Sequence, residues 1–342
     1  MCSLADVALR AMRCCTRPPL LHQPAPAPQR HGVAKRRRGR AGRARRARRA
    51  GPPLPFAAFT PVVHVRDTAQ ALRNVGVAVA AGADGVWLIS HGSVDMEELL
   101  HDVAAEVREA HPRLFLGVNC LGDGDAVFAA VAALPFRVDG IWCDTMGVRT
   151  PEQWRRECKA RREGEGPLPS SAADFAAAPQ PHAERFLAAR DAARAWAYGG
   201  GLCFGGVSFK YIDENERRSA ADEQALLDVS GRYCDVLTTS GAGTGRAAAV
   251  DKMRLLRANA ARAPTAVASG VALDNVDACR ECVDVYLVAS SIQRGGDFHE
   301  LDAAKTAQLC ARIHSFRAGA GAGDEAAPAA DVKRRKLSAP PA

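Results

Sequence analysis

The chain has 342 residues, with 46 Lys and Arg against 38 Asp and Glu and a formal net charge of +8 at pH 7. Length alone allows two or three domains, yet one α/β barrel of about 250 residues would absorb most of it. Residues 1–50 hold 14 of the 46 bases and only Asp6 of the 38 acids, so the rest is net acidic, which excludes a body that binds nucleic acid through its overall field.

No apolar run approaches the roughly 18 residues of a membrane span, and the N-terminus lacks the apolar stretch of a secretory signal, so a soluble protein is expected. Cys120, Cys143, Cys203 and Cys234 sit singly in apolar runs, as small buried hydrophobes of a reducing intracellular compartment do. Cys279 and Cys282 form a CxxC without a second pair at zinc-finger spacing, which reads as two helix-face thiols; no metal site is assigned.

In chain order, residues 1–54 are rich in Arg, Ala and Pro, carry Lys35-Arg36-Arg37-Arg38-Gly39-Arg40, and cannot bury a core. A plastid or mitochondrial transit peptide, a basic nuclear or nucleic-acid-binding arm, and compositional drift explain the segment equally well, so the nucleus and cytoplasm stay open as destinations. Any nucleic-acid affinity would come from this tail. Residues 318–342 read as a second disordered tail carrying Lys333-Arg334-Arg335-Lys336.

Between the tails, apolar runs alternate with helical periodicity. Strands are expected at Ala58–Val65, Gly85–Ser90, Leu114–Cys120, Gly140–Thr145, Cys203–Lys210, Asp235–Ser240, Thr265–Ser269 and Val283–Ser290. Helices are expected at Asp67–Ala81, Asp95–Ala110, Asp125–Leu134, Ala183–Tyr198, Ala220–Tyr233, Ala247–Ala260, Asp274–Cys282 and Leu301–Phe316. Eight such units close most readily into a (β/α)8 TIM barrel over residues 55–317, with a doubly wound open sheet as the alternative. The connection over residues 148–182 is long and of low complexity at Glu163-Gly164-Glu165-Gly166-Pro167 and Ser170-Ser171-Ala172-Ala173. Disorder is expected in its middle, with a short helix at Pro151–Cys158.

In such a barrel the chemistry gathers at the C-terminal strand ends, which here carry His64, Ser90, His91, Asn119, Asp144, Lys210, Ser240, Ser269, Gly270, Ser290 and Ser291. Ser240-Gly241-Ala242-Gly243-Thr244-Gly245 is a glycine-rich loop whose backbone N–H groups can cradle an anion; it is neither a Walker loop nor a dinucleotide fingerprint. With Ser269-Gly270 and Ser290-Ser291 on the next two strands it suggests a phosphate cup without a dedicated cation. Gly270→Leu is expected to abolish that cup while leaving the barrel folded. Asp144 and Lys210 are the acid–base candidates, the lysine as base or Schiff-base former; a structural ion pair between them would read the same.

From about Pro61 to Phe316 the chain resembles the BtpA/SgcQ family of barrels, named for a photosystem I biogenesis protein, within the ribulose-phosphate-binding type of TIM barrel. The resemblance rests on Thr239 to Gly245, Ser269-Gly270-Val271-Ala272-Leu273-Asp274-Asn275-Val276 and Val288 to Asp297 in order, and more loosely on Gly117-Val118-Asn119-Cys120 and Val63-His64. It implies the fold and the phosphate cup. The chain departs from the family at Ser90-His91, where an acid and asparagine are usual, and at Gly206-Val207-Ser208, where Asp-x-His is usual; the Pro-Leu-Pro-Gly element after His64 is missing. Two functions are therefore expected in competition: an enzyme acting on a phosphorylated small metabolite, and a non-catalytic assembly or biogenesis factor. A homo-oligomer is compatible with either, and no cofactor is singled out.

Overall fold

The computed structural model describes residues 54–121, 124–161, 171–193, 201–207, 209, 218–260 and 263–320. Residues 1–53 and 321–342 of the two expected tails, the Glu163–Pro167 stretch, Ser208 and Lys210 lie outside them, while residues 318–320, expected in the second tail, end the last helix.

Eight parallel strands close into a barrel in sequence order: β1 (Ala58–Val65), β2 (Gly85–Ser90), β3 (Phe115–Asn119), β4 (Gly140–Cys143), β5 (Leu202–Gly206), β6 (Val236–Thr239), β7 (Thr265–Ala268) and β8 (Val285–Val288). Each strand is buried on both faces, which is why it reads as an unbroken apolar run. The outer ring contains α1 (Thr68–Ala80), α2 (Ala104–Ala110), α3 (Ala126–Ala133), α4 (Pro151–Arg161), α5 (Ala172–Ala177), α6 (Pro181–Ala192), α7 (Ala220–Ser230), α8 (Val250–Asn259) and α9 (Ala303–Ala320). A turn at Met96–Glu98 and a π-helical stretch at Leu99–Val103 lead into α2.

The barrel interior is an aromatic plug. Trp87 packs edge-on against Phe115, Trp142 and Phe204 at 5.7, 6.0 and 4.7 Å between ring centroids. Two glycines make room for it: a Cβ on Gly117 would lie 2.3 Å from the Trp87 ring, and one on Gly140 would lie 2.7 Å from it. Phe209 continues the plug toward the C-terminal mouth, 6.0 Å from Trp142.

The N-terminal end is closed by a repeat of period two strands. Asp84, Asp139, Asp235 and Asp284 each immediately precede an even-numbered strand, and each accepts the backbone N–H of a residue in the preceding odd strand: Phe59 (2.8 Å), Leu116 (3.0 Å), Cys203 (2.8 Å) and Thr265 (2.8 Å). An arginine clamps each carboxylate: Arg317, Arg108, Arg190 and Arg257 respectively. Burial pushes the Asp235 carboxyl above its usual range, and Arg190 opposes the shift. This ring belongs to stability, because the side chains converging on a barrel's site lie at the other end.

Several expected boundaries are corrected. The helix expected at Asp274–Cys282 is only a 3-10 turn at Val276–Cys279, because the link from Ala268 to Val285 is short and Asn275 pins its start by holding the Ala272 N–H and the Gly270 carbonyl. Ser170-Ser171-Ala172-Ala173 is not simple low complexity: Ser171 and Asp174 form a reciprocal capping box that starts α5. The last helix does not begin at Leu301. A two-stranded hairpin, β9 (Gln293–Arg294) and β10 (Asp297–Leu301), precedes α9. Two buried polar residues of α1 hold it in place, since the Gln70 and Asn74 side-chain amides both donate to the His299 carbonyl, at 2.5 and 2.6 Å, and Leu301 N–H donates to Asn74 Oδ1 at 2.8 Å.

Candidate functional site

Three sectors form the C-terminal mouth. The first rises from β1 to β3. Register pairs His64 with Ile89 and Ile89 with Asn119, and strand alternation from the inward-facing Val62, Trp87 and Phe115 turns all three toward the interior. The hairpin then brings Phe298 within 5.3 Å of the His64 ring, which also lies 4.6 Å from His91. His299 Nδ1 sits 3.0 Å from the His64 carbonyl.

The second sector is β4 and β5. Asp144 follows β4, half-buried, on the same face as Trp142. Gly206 approaches it so closely that a Cβ there would lie 1.6 Å from the Asp144 carbonyl oxygen. Lys210 is among the residues not described, so the expected Asp144–Lys210 relation has no geometry.

The third sector joins the loops after β6, β7 and β8, and here the structure brings the expected residues together. Gly245 N–H donates to Ser269 Oγ at 3.2 Å, and that hydroxyl donates to the Gly243 carbonyl at 3.1 Å. A Cβ on Gly245 would sit 3.8 Å from Ser290 Oγ. Ser291 Oγ donates to the Val271 carbonyl at 2.5 Å, tying the eighth loop to the seventh. Ser240 is fully buried at the end of β6, and its carbonyl accepts from Lys252 Nζ at 3.1 Å. Gly241 is buried and Thr244 exposed. Ser269 holds φ of 110°, a left-handed conformation that costs a non-glycine residue about 1–3 kcal/mol and persists only where the surroundings impose it.

Two corrections follow. At Gly270, φ is +68° and a Cβ would lie 2.1 Å from the Arg246 carbonyl carbon, so Gly270→Leu would force the sixth loop apart and not merely block an anion. The expected lack of a cation near these loops is also corrected: Arg246 is exposed, with its Cδ 3.7 Å from where a Gly243 Cβ would be, and it makes no ion pair among the described residues. A base directly after the last glycine of the loop was the signal for it.

The described cysteines of the barrel strands and of the CxxC are held as buried or half-buried thiols. Burial pushes the Cys143 and Cys203 thiols strongly upward and Cys234 to about 12. Cys279, pushed to about 11 by burial, donates to the Val276 carbonyl, so the CxxC is packed and inert. No group of three or more His, Cys, Asp or Glu able to hold a metal ion occurs among the described residues. No helix among them is long and apolar enough to cross a membrane.

Closed topology and strand order define the class as a (β/α)8 barrel. The sequence matches no protein-family model, and no curated protein matches it significantly. Its likeness to solved structures is one of fold: the tryptophan synthase A-subunit of Pyrococcus furiosus aligns with TM-score 0.50 and 15% identity over 76% of this chain and 100% of that one. A mutant alpha-subunit from the same hyperthermophile aligns with TM-score 0.50 and 15% identity over 75% and 99%. Phosphoribosyl anthranilate isomerase from Thermus thermophilus aligns with TM-score 0.40 and 16% identity over 76% and 100%.

Proposed function

We propose that the protein is a BtpA-like barrel enzyme that holds a phosphorylated small metabolite at the C-terminal mouth, with the phosphate on the loops after β6, β7 and β8. The observation that carries this reading is the bracing of Gly243 and Gly245 by the strained Ser269, with Ser290 close to Gly245 and the Arg246 side chain beside Gly243. Backbone amides on a rigid loop meet an anion with no reorganisation, and an adjacent guanidinium adds a charge-assisted hydrogen bond. Asp144, with Lys210, is the acid–base candidate. The close approach of Gly206 to Asp144 explains why the family's strand-five acid is absent: that backbone has no room for a side chain.

A non-catalytic assembly factor would be supported by a continuous apolar surface. The large apolar residues exposed among those described are Phe56 before β1, Val79 on α1 and Leu273 in the loop after β7, scattered along the chain.

The test is calorimetric titration of the full chain with inorganic phosphate. Arg246→Ala should weaken binding by about 1 kcal/mol, roughly fivefold, with no change in melting temperature, since the side chain is exposed and braces nothing. Absence of phosphate binding by the unaltered protein, or equal affinity in the variant, would contradict the reading.

A further inference from the structure

Opposite the cup, the mouth contains hydrogen-bond donors that meet no partner among the described residues. Asn119, at the inward-facing end of β3, is 3% exposed, and its Nδ2 has no hydrogen-bond partner among the described residues. Trp142 is 6% exposed on the inward face of β4, and its indole Nε1 is likewise without one. These residues are neighbours: Val118 pairs with Ile141, so Asn119 and Trp142 follow side by side on strands about 4.8 Å apart. A buried donor left unsatisfied loses its hydration without return, so each such group in a folded protein calls for a partner that completes it. Trp87 Nε1 is also unpartnered, but it lies a layer deeper in the plug, below the reach of a ligand.

The polarity of the missing partner follows from the donors. An amide can be turned over so that its oxygen takes the place of its nitrogen, but an indole N–H only donates. What meets Asn119 and Trp142 together is therefore an acceptor oxygen. A carbonyl oxygen offers two lone pairs and brings no proton of its own, so it satisfies both donors outright, whereas a hydroxyl brings a proton that needs a further acceptor.

Distance then limits the ligand. β3 lies four strands from β7 around the closed barrel. Eight strands about 4.8 Å apart, tilted by about 36°, enclose a diameter of roughly 15 Å. Allowing for the reach of the asparagine and a hydrogen bond at each end leaves roughly 5 Å between phosphorus and carbonyl oxygen. That spacing places the carbonyl two or three carbons from the phosphate ester.

We propose that Asn119 Nδ2 and Trp142 Nε1 form a carbonyl-binding pair, so that the ligand class is a short phosphorylated ketone or aldehyde spanning the mouth from β3 and β4 to the cup. The proposal rests on the phosphate-cup reading and adds the second end of the ligand.

Three probes separate the two claims in the full chain: methyl phosphate, erythritol 4-phosphate, and erythrulose 4-phosphate, whose keto group cannot cyclise and is otherwise matched to the alcohol. The unaltered protein should prefer erythrulose 4-phosphate to erythritol 4-phosphate by about tenfold, the effect of one well-placed hydrogen bond. Trp142→Phe, which keeps the ring and removes only the N–H, and Asn119→Leu should each erase that preference and leave methyl phosphate affinity unchanged. Circular dichroism establishes that each variant is folded; Trp142→Phe is the decisive one if Asn119→Leu is not. Equal binding of ketone and alcohol by the unaltered protein, or a preference that survives in folded Trp142→Phe, overturns the carbonyl pair and leaves the cup standing. Failure of all three probes to bind overturns both.

Discussion

Gly206→Ala is expected to destabilise the protein by roughly 3 kcal/mol or more, lowering its melting temperature by roughly 6–12 °C in a barrel of this size. The added Cβ would lie 1.6 Å from the Asp144 carbonyl oxygen, and the neighbour it meets is backbone at the end of β4, which has no alternative rotamer. Nor can β5 retreat outward, because a Cβ on Gly205 would already be 2.0 Å from Cys234 Sγ. The consecutive glycines let the barrel wall close between β4 and the layer under α7. Gly76→Ala is the control: Gly76 is exposed on α1 with nothing within 4 Å of the new Cβ, and the replacement should gain up to about 1 kcal/mol of helix stability. A Gly206→Ala protein that melts with the unaltered one would show that these strands do not approach as described.

Asp139→Ala should produce the other large loss, about 3–5 kcal/mol in denaturant titration, with phosphate affinity unchanged. The carboxylate is 9% exposed and holds Arg108 Nη2 at 2.6 Å, the Arg137 Nε at 2.5 Å and the Leu116 N–H at 3.0 Å. Arg108, itself 10% exposed in its side chain, also donates to the carbonyls of Arg137, Pro112 and Leu114. Burial depresses the Arg108 guanidinium and Asp139 counteracts it, so removing the acid leaves a buried cation whose remaining partners are neutral. The ring of four aspartates lies at the end of the barrel away from the cup, so stability and binding should separate. A loss below about 1 kcal/mol, or a phosphate affinity that falls with stability, would contradict that division.

The barrel itself was legible because two-sided burial writes each parallel strand as an apolar run bounded by a helix cap, Asp67 before α1 and Asp95 before the helix leading to α2. The aspartate repeat was equally present, at Asp84-Gly85-Val86, Asp139-Gly140-Ile141, Asp235-Val236-Leu237 and Asp284-Val285-Tyr286, but it passes unnoticed when each strand is read alone. The hairpin was not legible in its own residues, since β9 has only two of them. Its trace lies elsewhere, in Gln70 and Asn74 four residues apart on the buried side of α1, where apolar side chains would be ordinary. In the site, the glycines and serines of the sixth to eighth loops announced themselves by type, and their positive φ values at Gly245, Ser269 and Gly270 follow from that chemistry or, at Ser269, are imposed against it. Trp142 could not be separated from core by sequence, because an indole reads as a hydrophobe until its N–H is found without a partner.

The central claim is that three loops make one anion cup from backbone amides, and amide resonances of the isotopically labelled full chain report on it directly. Titration with inorganic phosphate should shift the amides of Gly243, Gly270, Ser290 and Ser291 in one saturable process, together with the Arg246 side-chain Nε–H, and leave the aspartate ring at Leu116 and Thr265 unmoved. Saturable shifts confined to another surface, or loop resonances that stay fixed at saturating phosphate, would contradict it.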